Sequence, residues 1–223
     1  MIAQYKTARI HEDHDLFHPI LRPSEIKTKK TSTSQRIQSS PYVDKEHWLN
    51  LESLSFGHRL LSLALQSFVP KDPIYYAHLP YEEAFDIEEI VQLVRDYAHQ
   101  CLLPVPSFSA YIVAFRSVLH SNVQSSQEMR HKLAEIDKGS HSEANASGGL
   151  LKYWYGVPDD TYGQNLATCW WDSKKSAKLG GAGNIHREGL KTVRGWYKNW
   201  KLEEYKLEIV EGGNDYVFQR LSL

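Results

Sequence analysis

The chain has 223 residues, of which 41% are hydrophobic and 24% are charged, and its formal net charge is −1. This length suits one large domain with a sizeable core and is short for two independent domains. The near-neutral charge gives no general attraction to nucleic acid or to anionic membranes, so we expect neither as a partner.

Cysteine content and the N-terminus bear on the compartment. Cys101 and Cys169 are too few for a disulfide framework and lack the spacing of a zinc or CxxC site, so reduced thiols in a cytoplasmic protein are expected. The N-terminal residues contain no apolar stretch of signal-peptide length, and no apolar run is long enough to span a bilayer. The sequence thus predicts a protein that is neither exported nor inserted in a membrane.

The N-terminal part of the chain divides into a polar arm and a helical segment. Residues 1–43 lack hydrophobic periodicity, and Lys27–Ser40 (KTKKTSTSQRIQSS) is rich in Lys, Ser and Thr, which is typical of a flexible arm. Beyond the arm, apolar residues recur at mostly helical spacing. We predict a single α+β domain over 44–223, in which a helical extension over 44–69 precedes a core over 70–223.

Three elements are predicted in the first half of the core. Ile74–Leu79 (IYYAHL) is rich in β-favouring residues, which indicates a strand. Asp86 and Glu89 have the spacing of a capping box, and the apolar face behind them predicts a helix that ends before Pro104. Phe108–Leu119 (FSAYIVAFRSVL) is a nearly continuous apolar strand, as expected where both faces of a sheet are covered.

The second half of the core contains two pairs of strands. The turn-rich segment VPDDTYGQ joins the first pair into a hairpin, and EGGND joins the last pair. A helix-permissive stretch, Ser125–Ala146, precedes the first pair, and a helix capped by Asn184 separates the two pairs. The predicted strands are Leu150–Tyr155, Asn165–Trp171, Leu202–Val210 and Tyr216–Leu221.

The order of these elements predicts an α+β fold of ferredoxin-like plan. The order β, α, β, β, β, α, β, β contains the βαββαβ core, in which an antiparallel sheet carries both helices on one face. In a monomer the other face would expose an aromatic-rich surface, whereas a homodimer would hide it by closing a dimeric α+β barrel. Alternatively, the N-terminal segment covers the sheet within one chain.

Two segments carry a family resemblance. LLKYWYGVPDDTYGQNLATCWWDSKKSAK and IHREGLKTVRGWYKNWKLEEYKL resemble an uncharacterised family of fungal proteins, and the C-terminal half is similar to dimeric α+β barrel proteins such as antibiotic-biosynthesis monooxygenases. The resemblance covers about residues 70–210 and is specific at Gly148–Trp171. It implies a cofactor-independent small-molecule enzyme of fungal secondary metabolism, a cyclase or isomerase, with Diels-Alder-type cyclisation among the reactions. It carries no assigned catalytic residue.

Aromatic and polar side chains on the predicted strands are candidates for a substrate pocket. Holding a flexible apolar substrate in a reactive conformation requires a concave apolar pocket with one or two hydrogen-bond donors. We place this pocket between the sheet face opposite the helices and its cover. The candidate donors are Arg116, Lys152 and Tyr153, and the candidate substrate-binding rings are Tyr111, Trp154, Trp170 and Trp171. Strand alternation prevents all these rings from sharing one face, so some of them must pack elsewhere.

Histidines provide further candidates. His141 and His186 are possible acid-base groups, because an imidazole exchanges protons near neutral pH; surface or capping roles are the alternative. We expect no metal, flavin or haem cofactor. The histidines of the arm match no standard ligand motif, and the glycine-rich loop Leu179–Asn184 has neither a P-loop Lys-Ser/Thr nor the GxGxxG order.

Three functions remain open from the sequence. The first is the cofactor-independent cyclase or isomerase acting on an apolar small molecule. The second is a cofactor-free or haem-assisted monooxygenase, which oxygen consumption or a coloured protein would favour. The third is a non-catalytic ligand-binding or scaffold protein, which a sheet interior filled by side chains would favour.

Overall fold

The computed structural model describes residues 35–159 and 161–221. Its strands are β1 (Arg36–Ile37), β2 (Leu49–Asn50), β3 (Phe108–Leu119), β4 (Leu150–Tyr155), β5 (Gln164–Trp171), β6 (Tyr197–Ile209) and β7 (Tyr216–Arg220). Its α-helices are α1 (Phe56–Ala64), α2 (Tyr81–Ala84), α3 (Ile87–Gln100), α4 (Ser121–Ser125), α5 (Gln127–Ser147), α6 (Lys174–Gly180) and α7 (Asn184–Val193). Short 3-10 turns lie at Lys45–His47, Leu51–Ser53, Leu65–Ser67 and Arg194–Trp196.

The main sheet has five antiparallel strands in the order β4-β5-β3-β6-β7. In chain order, β3, α5, β4, β5, α7 and β6 form a βαββαβ unit, and β7 extends the sheet at the edge beside β6. The predicted α+β, ferredoxin-like fold is therefore confirmed. The predicted helix α3 is confirmed as well, because the Asp86 carboxylate caps it by accepting the N–H of Glu89 at 3.0 Å.

The ferredoxin-like unit begins later in the chain than predicted. The segment Ile74–Leu79 forms turns and not a strand, because Asp72 Oδ1 accepts the backbone N–H groups of Ile74 and Tyr75 that a sheet partner would need. The carbonyls of Ala77 and Leu79 are bound instead by the side chain of Arg116. The first strand of the unit is consequently β3, and α3 lies outside it.

The two faces of the sheet are covered differently. The face that carries Ile112 and Trp170, here called the inner face, is buried against α1 and α3, whose Leu61 and Val91 belong to the same core. The opposite face, here called the α5 face, carries Tyr153, whose hydroxyl donates to Asp137 of α5. Helix α7 packs against α5. Ile136 of α5 lies against Gly189 of α7, and Ile185 of α7 lies against Gly139 of α5.

The cover of the inner face removes the reason for expecting a dimer. Helices of the same chain bury the surface that a second copy was expected to hide, which agrees with the alternative of an N-terminal cover. The homodimer and the domain boundaries at residues 44 and 70 stay predictions. Most of the predicted arm, residues 1–34, lies outside the described residues. Among the described residues, no helix has the length and apolarity needed to cross a bilayer.

Candidate functional site

Asp137 of α5 is the centre of a polar cluster on the α5 face. One carboxylate oxygen accepts the hydroxyl of Tyr153 at 2.7 Å, and the other accepts the hydroxyl of Tyr42. Burial raises the pKa of Asp137, although the two tyrosine hydrogen bonds and nearby His186 act in the opposite direction. No hydrogen bond or ion pair joins Asp137 to a lysine or arginine in the described part of the chain. The negative form of Asp137 is thus stabilised by two neutral donors, with the nearby His186 adding to them.

The two tyrosines bound to Asp137 are held in their protonated form. Burial and the charge of Asp137 raise the pKa of Tyr153 and that of Tyr42 far above the ordinary value. Strand β4 positions Tyr153 because its side chain points to the face opposite that of its neighbour Trp154. Tyr42 reaches the cluster from the segment that precedes β2.

Two histidines lie beside the tyrosines and share one hydrogen bond. His47 Nδ1 and His141 Nδ1 are 2.7 Å apart, so one nitrogen carries a proton and the other accepts it. Burial and the neighbouring His47 lower the pKa of His141 to about 4, and burial also lowers the pKa of His47. His141 Nε2 is buried without a hydrogen-bond partner among the described residues. Both rings are therefore neutral at physiological pH.

The N-terminus of α7 brings His186 toward Asp137. Burial lowers the pKa of His186, while Glu143 and Asp137 raise it. The Glu143 carboxylate accepts the backbone N–H groups of Ile185 and His186 at 2.9 to 3.1 Å. A Cβ at Gly183 would lie 2.2 Å from that carboxylate. The glycine-rich loop thus makes room for a carboxylate of the same chain where a phosphate would otherwise bind.

Solvent reaches the middle of the sheet next to this cluster. Val113 and Phe115 of β3, and their partners Cys169 and Ala167 of β5, keep partial exposure although these strands are central in the sheet. Burial and the charge of Asp137 raise the pKa of Cys169 to about 12, as they do that of Tyr197. Part of the α5 face beside the Asp137 cluster is therefore partly exposed to solvent.

One group of residues near the cluster has ligand atoms close enough for a metal ion. Donor atoms of Asp44, Glu46 and His47 lie within 4.8 Å of one another. Lys138, however, forms an ion pair with Asp44, and the Nδ1 atom of His47 is engaged with His141. Because Lys138 already pairs with Asp44 and His47 is engaged by His141, we assign no metal to this group.

Comparison with known proteins identifies the family. Residues 38–220 match a family model described as PB2B2.08-like. UPF0643 protein PB2B2.08 of Schizosaccharomyces pombe (strain 972) is 70% identical over 222 residues, which are 100% of both chains. The chain belongs to the PB2B2.08-like family. The resemblance to a fungal family, expected from the segments around Gly148–Trp171, is confirmed.

Solved structures share less with this PB2B2.08-like chain. One is a protein from Nitrosomonas europaea that is provisionally described as an antibiotic biosynthesis monooxygenase; it is 12% identical, with a TM-score of 0.37, over 43% of this chain and 88% of that one. Another is Rv0793 from Mycobacterium tuberculosis, 11% identical with a TM-score of 0.36 over 43% and 91% of the two chains. At these scores the similarity carries no argument about function.

Of the candidate donors in this PB2B2.08-like protein, the structure places Arg116 and Lys152 on the inner face. The guanidinium of Arg116 donates to Glu203 at 2.9 Å and to the two carbonyls of the 77–79 turn, so its nitrogens hold structure together. Lys152 lies opposite Trp170, and burial lowers its pKa to about 8. Neither residue joins the Asp137 cluster, whereas Tyr153, His141 and His186 do.

The aromatic candidates do not line one pocket. Trp170 is fully buried and donates its indole N–H to Tyr81, and Trp154 packs edge-on against Phe85. Side chains therefore fill the space around Trp154 and Trp170 on the inner face, and the predicted substrate pocket stays a prediction. Tyr111 and Trp171 lie on the α5 face, where they form a small apolar cluster with Leu150.

The sequence missed three members of the cluster: Tyr42, His47 and Asp137. Asp137 and His141 are four residues apart and therefore share one helix face, which is a readable signal on a helix this polar. Tyr42 and His47 gave no signal, because their partners are more than 90 residues away in the chain.

Proposed function

We propose that this PB2B2.08-like protein is a cofactor-independent enzyme that isomerises or cyclises a small molecule by proton transfer at Asp137. The observation that carries the proposal is a carboxylate with a raised pKa, bound by two phenols and by no lysine or arginine among the described residues, beside a partly exposed stretch of the sheet. A carboxyl group whose pKa is moved toward neutrality can accept and return a proton near the working pH.

The chemistry requires no group beyond these side chains. Asp137 removes a proton from the carbon next to a carbonyl, and the electron pair of the broken C–H bond moves into an enolate. The hydroxyl of Tyr153 donates to Asp137 at the start, and once Asp137 carries the proton this hydroxyl turns to donate its hydrogen to the enolate oxygen. When Asp137 returns the proton to a different carbon of the conjugated enolate, an isomerisation is complete. In a cyclisation the enolate carbon attacks a second carbonyl of the same molecule, and the alkoxide so formed takes the proton from Asp137.

The surroundings favour a neutral substrate. The imidazoles of His47 and His141 are uncharged at physiological pH because their pKa values are lowered, and Arg116 and Lys152 lie on the other face of the sheet. A carboxylate or phosphate on the substrate would therefore meet the charge of Asp137 with only His186 nearby, and burial lowers the pKa of that imidazole. The proposed site for a neutral substrate thus lies on the α5 face, and not in the aromatic-lined pocket that was expected on the inner face.

Solvent deuterium exchange tests the proposal. The wild-type protein is incubated in D2O with neutral aromatic ketones, such as 1-tetralone and 4-chromanone, and deuterium uptake is measured by mass spectrometry. We expect catalysed exchange that Asp137→Asn reduces by about a hundredfold or more, since this is the usual contribution of a positioned base. The matched control is Glu135→Gln, which removes an exposed carboxylate from the same helix.

Two outcomes would redirect the assignment. Exchange that is equal in the wild type and in Asp137→Asn, or absent with every ketone, would reject the proposed role of Asp137 and favour the non-catalytic alternative. Oxygen uptake coupled to loss of the ketone, followed with an oxygen electrode, would instead indicate a cofactor-free monooxygenase that uses the same enolate.

A further inference from the structure

The carboxylate of Asp137 already binds a phenol, which is the side chain of Tyr42. The Tyr42 ring lies between other rings, at 4.8 Å from His47, 5.2 Å from His141 and 6.4 Å from Tyr153, measured between ring centroids. The Tyr153 ring is nearly parallel to it, with an interplanar angle of 23°. The rings of His141 and Tyr153 and the Asp137 carboxylate are here called the phenol box, and His47 belongs to the segment that carries Tyr42.

Tyr42 enters the box on a strap, residues 39–48, that crosses α5. The strap is bound to one face of the helix, by Asp137 and His141 and through an ion pair between Asp44 and Lys138. Asn145 adds hydrogen bonds to two strap carbonyls, at 2.9 and 3.3 Å. Asp44 and Lys138 are 44% and 48% exposed, and an exposed ion pair of this kind contributes little.

We infer that the phenol box is a binding site for neutral phenols and enols, and that Tyr42 occupies it as an internal stand-in for the ligand. The inference rests on the proposed function, because it assigns the substrate class of the same carboxylate. The box matches this class in two ways: the carboxylate accepts the hydroxyl, and neutral rings flank the aromatic or enolic plane. Among the described residues beside the Asp137 carboxylate, His186 is the ionisable base that acts on it, and burial lowers the pKa of His186, so an anionic ligand is disfavoured.

The occupied box implies competition between Tyr42 and an external ligand. A residue tethered by a short segment has a high effective concentration, so an external phenol must displace Tyr42 before it can bind. The apparent affinity of the wild type is then reduced by the fraction of molecules in which the strap is closed. Removing the Tyr42 ring should restore the intrinsic affinity.

Binding of p-cresol, the free form of a tyrosine side chain, tests the inference. Calorimetric titration of Tyr42→Ala should give about tenfold or more tighter binding of p-cresol than the wild type gives. Toluene, which lacks the hydroxyl, should bind Tyr42→Ala about tenfold or more weakly than p-cresol, and adding Asp137→Asn should remove this preference. In the wild type, p-cresol should increase hydrogen exchange of the strap amides over residues 40–46.

Several results would overturn the inference. Equal binding of toluene and p-cresol by Tyr42→Ala would mean that the substitution creates only an apolar cavity. Unchanged strap exchange in the wild type, at p-cresol concentrations that saturate the variant, would mean that Tyr42 is a fixed structural group. If Tyr42→Ala does not fold, Tyr42→Phe serves instead, because it keeps the ring, loses the bond to Asp137 and should still bind p-cresol more tightly than the wild type.

The outcome is separable from that of the deuterium-exchange experiment. Binding of p-cresol without Asp137-dependent exchange would keep the phenol site and reject proton transfer. Asp137-dependent exchange with ketones in the absence of p-cresol binding would support proton transfer and reject the phenol site.

Discussion

The histidine pair makes the stability of the protein depend on pH. His141 has a pKa of about 4 in the folded protein against an ordinary value of 6.5, so between these values the unfolded chain binds more protons than the folded one. The free energy of unfolding therefore rises with pH through this window and falls on acidification. The lowered pKa values of His47 and His186 act in the same direction, whereas the raised pKa of Asp137 opposes them.

We predict that urea unfolding gives a lower free energy at about pH 5 than at about pH 7.5, and that His141→Asn flattens this dependence. The comparison uses the pH dependence within each variant, so a general loss of stability in the variant does not affect it. An unchanged slope in His141→Asn would assign the effect to other groups.

Arg116 shows how a candidate catalytic residue can be structural. Burial alone would raise the pKa of Glu203, but hydrogen bonds from Arg116, Lys201 and Tyr205 lower it to about 2. Removing the guanidinium would deprive the Leu79 carbonyl of its donor and would leave the carboxylate of Glu203 to Lys201 and Tyr205.

We predict that Arg116→Met destabilises the protein by about 1 to 3 kcal/mol, because a buried carbonyl loses its donor, and that adding Glu203→Gln recovers part of the loss. Thermal melting measures the stability, and the deuterium exchange rate per folded molecule should stay unchanged. If the deuterium exchange rate falls by more than the amount of folded protein does, Arg116 takes part in the reaction and the structural assignment is wrong.

At the scale of elements, prediction succeeded where local pattern decides. The long apolar run of β3, the hairpin of β4 and β5, and the capping box of α3 each depend on residues close in the chain. The strand predicted over Ile74–Leu79 does not form, because Asp72 and the distant Arg116 bind backbone groups of this segment. The candidate site also depends on contacts between residues that are distant in the chain, since Tyr42 and Asp137 are 95 residues apart. Local sequence patterns do not show such contacts.

The cap of α7 gives a prediction at this scale. A Cβ at Gly183 would collide with Glu143, whose carboxylate satisfies the first N–H groups of the helix, whereas a Cβ at Gly195 meets nothing within 4 Å. Both glycines have backbone conformations outside the positive-φ region. We expect Gly183→Ala to lower the melting temperature and Gly195→Ala to leave it nearly unchanged. Equal effects would show that the contact with Glu143 does not restrict this position.

At the scale of the whole molecule, the two faces of the sheet differ: one is a packed core and the other carries the candidate site. The inner face is a filled aromatic core, in which Phe68 stacks on Phe85 and meets Trp170 edge-on. The α5 face combines the partly exposed middle of the sheet with the perturbed groups around Asp137. The sequence predicted the aromatic strands but not which face they fill, because alternation fixes the side of each residue only relative to its neighbours.

The cover of the inner face leads to the last prediction. Leu61 of α1 has no exposed surface, and it lies in the same core as Ile112 and Trp170 of the sheet. If α1 covers the sheet in solution, Leu61→Ala should cost about 2 to 5 kcal/mol at every protein concentration, whereas Leu190→Ala at a position 52% exposed should cost much less. Urea unfolding measures both variants, and light scattering gives their oligomeric state. If a second copy covers the sheet in place of α1, Leu61→Ala should be tolerated and the wild-type stability should fall on dilution.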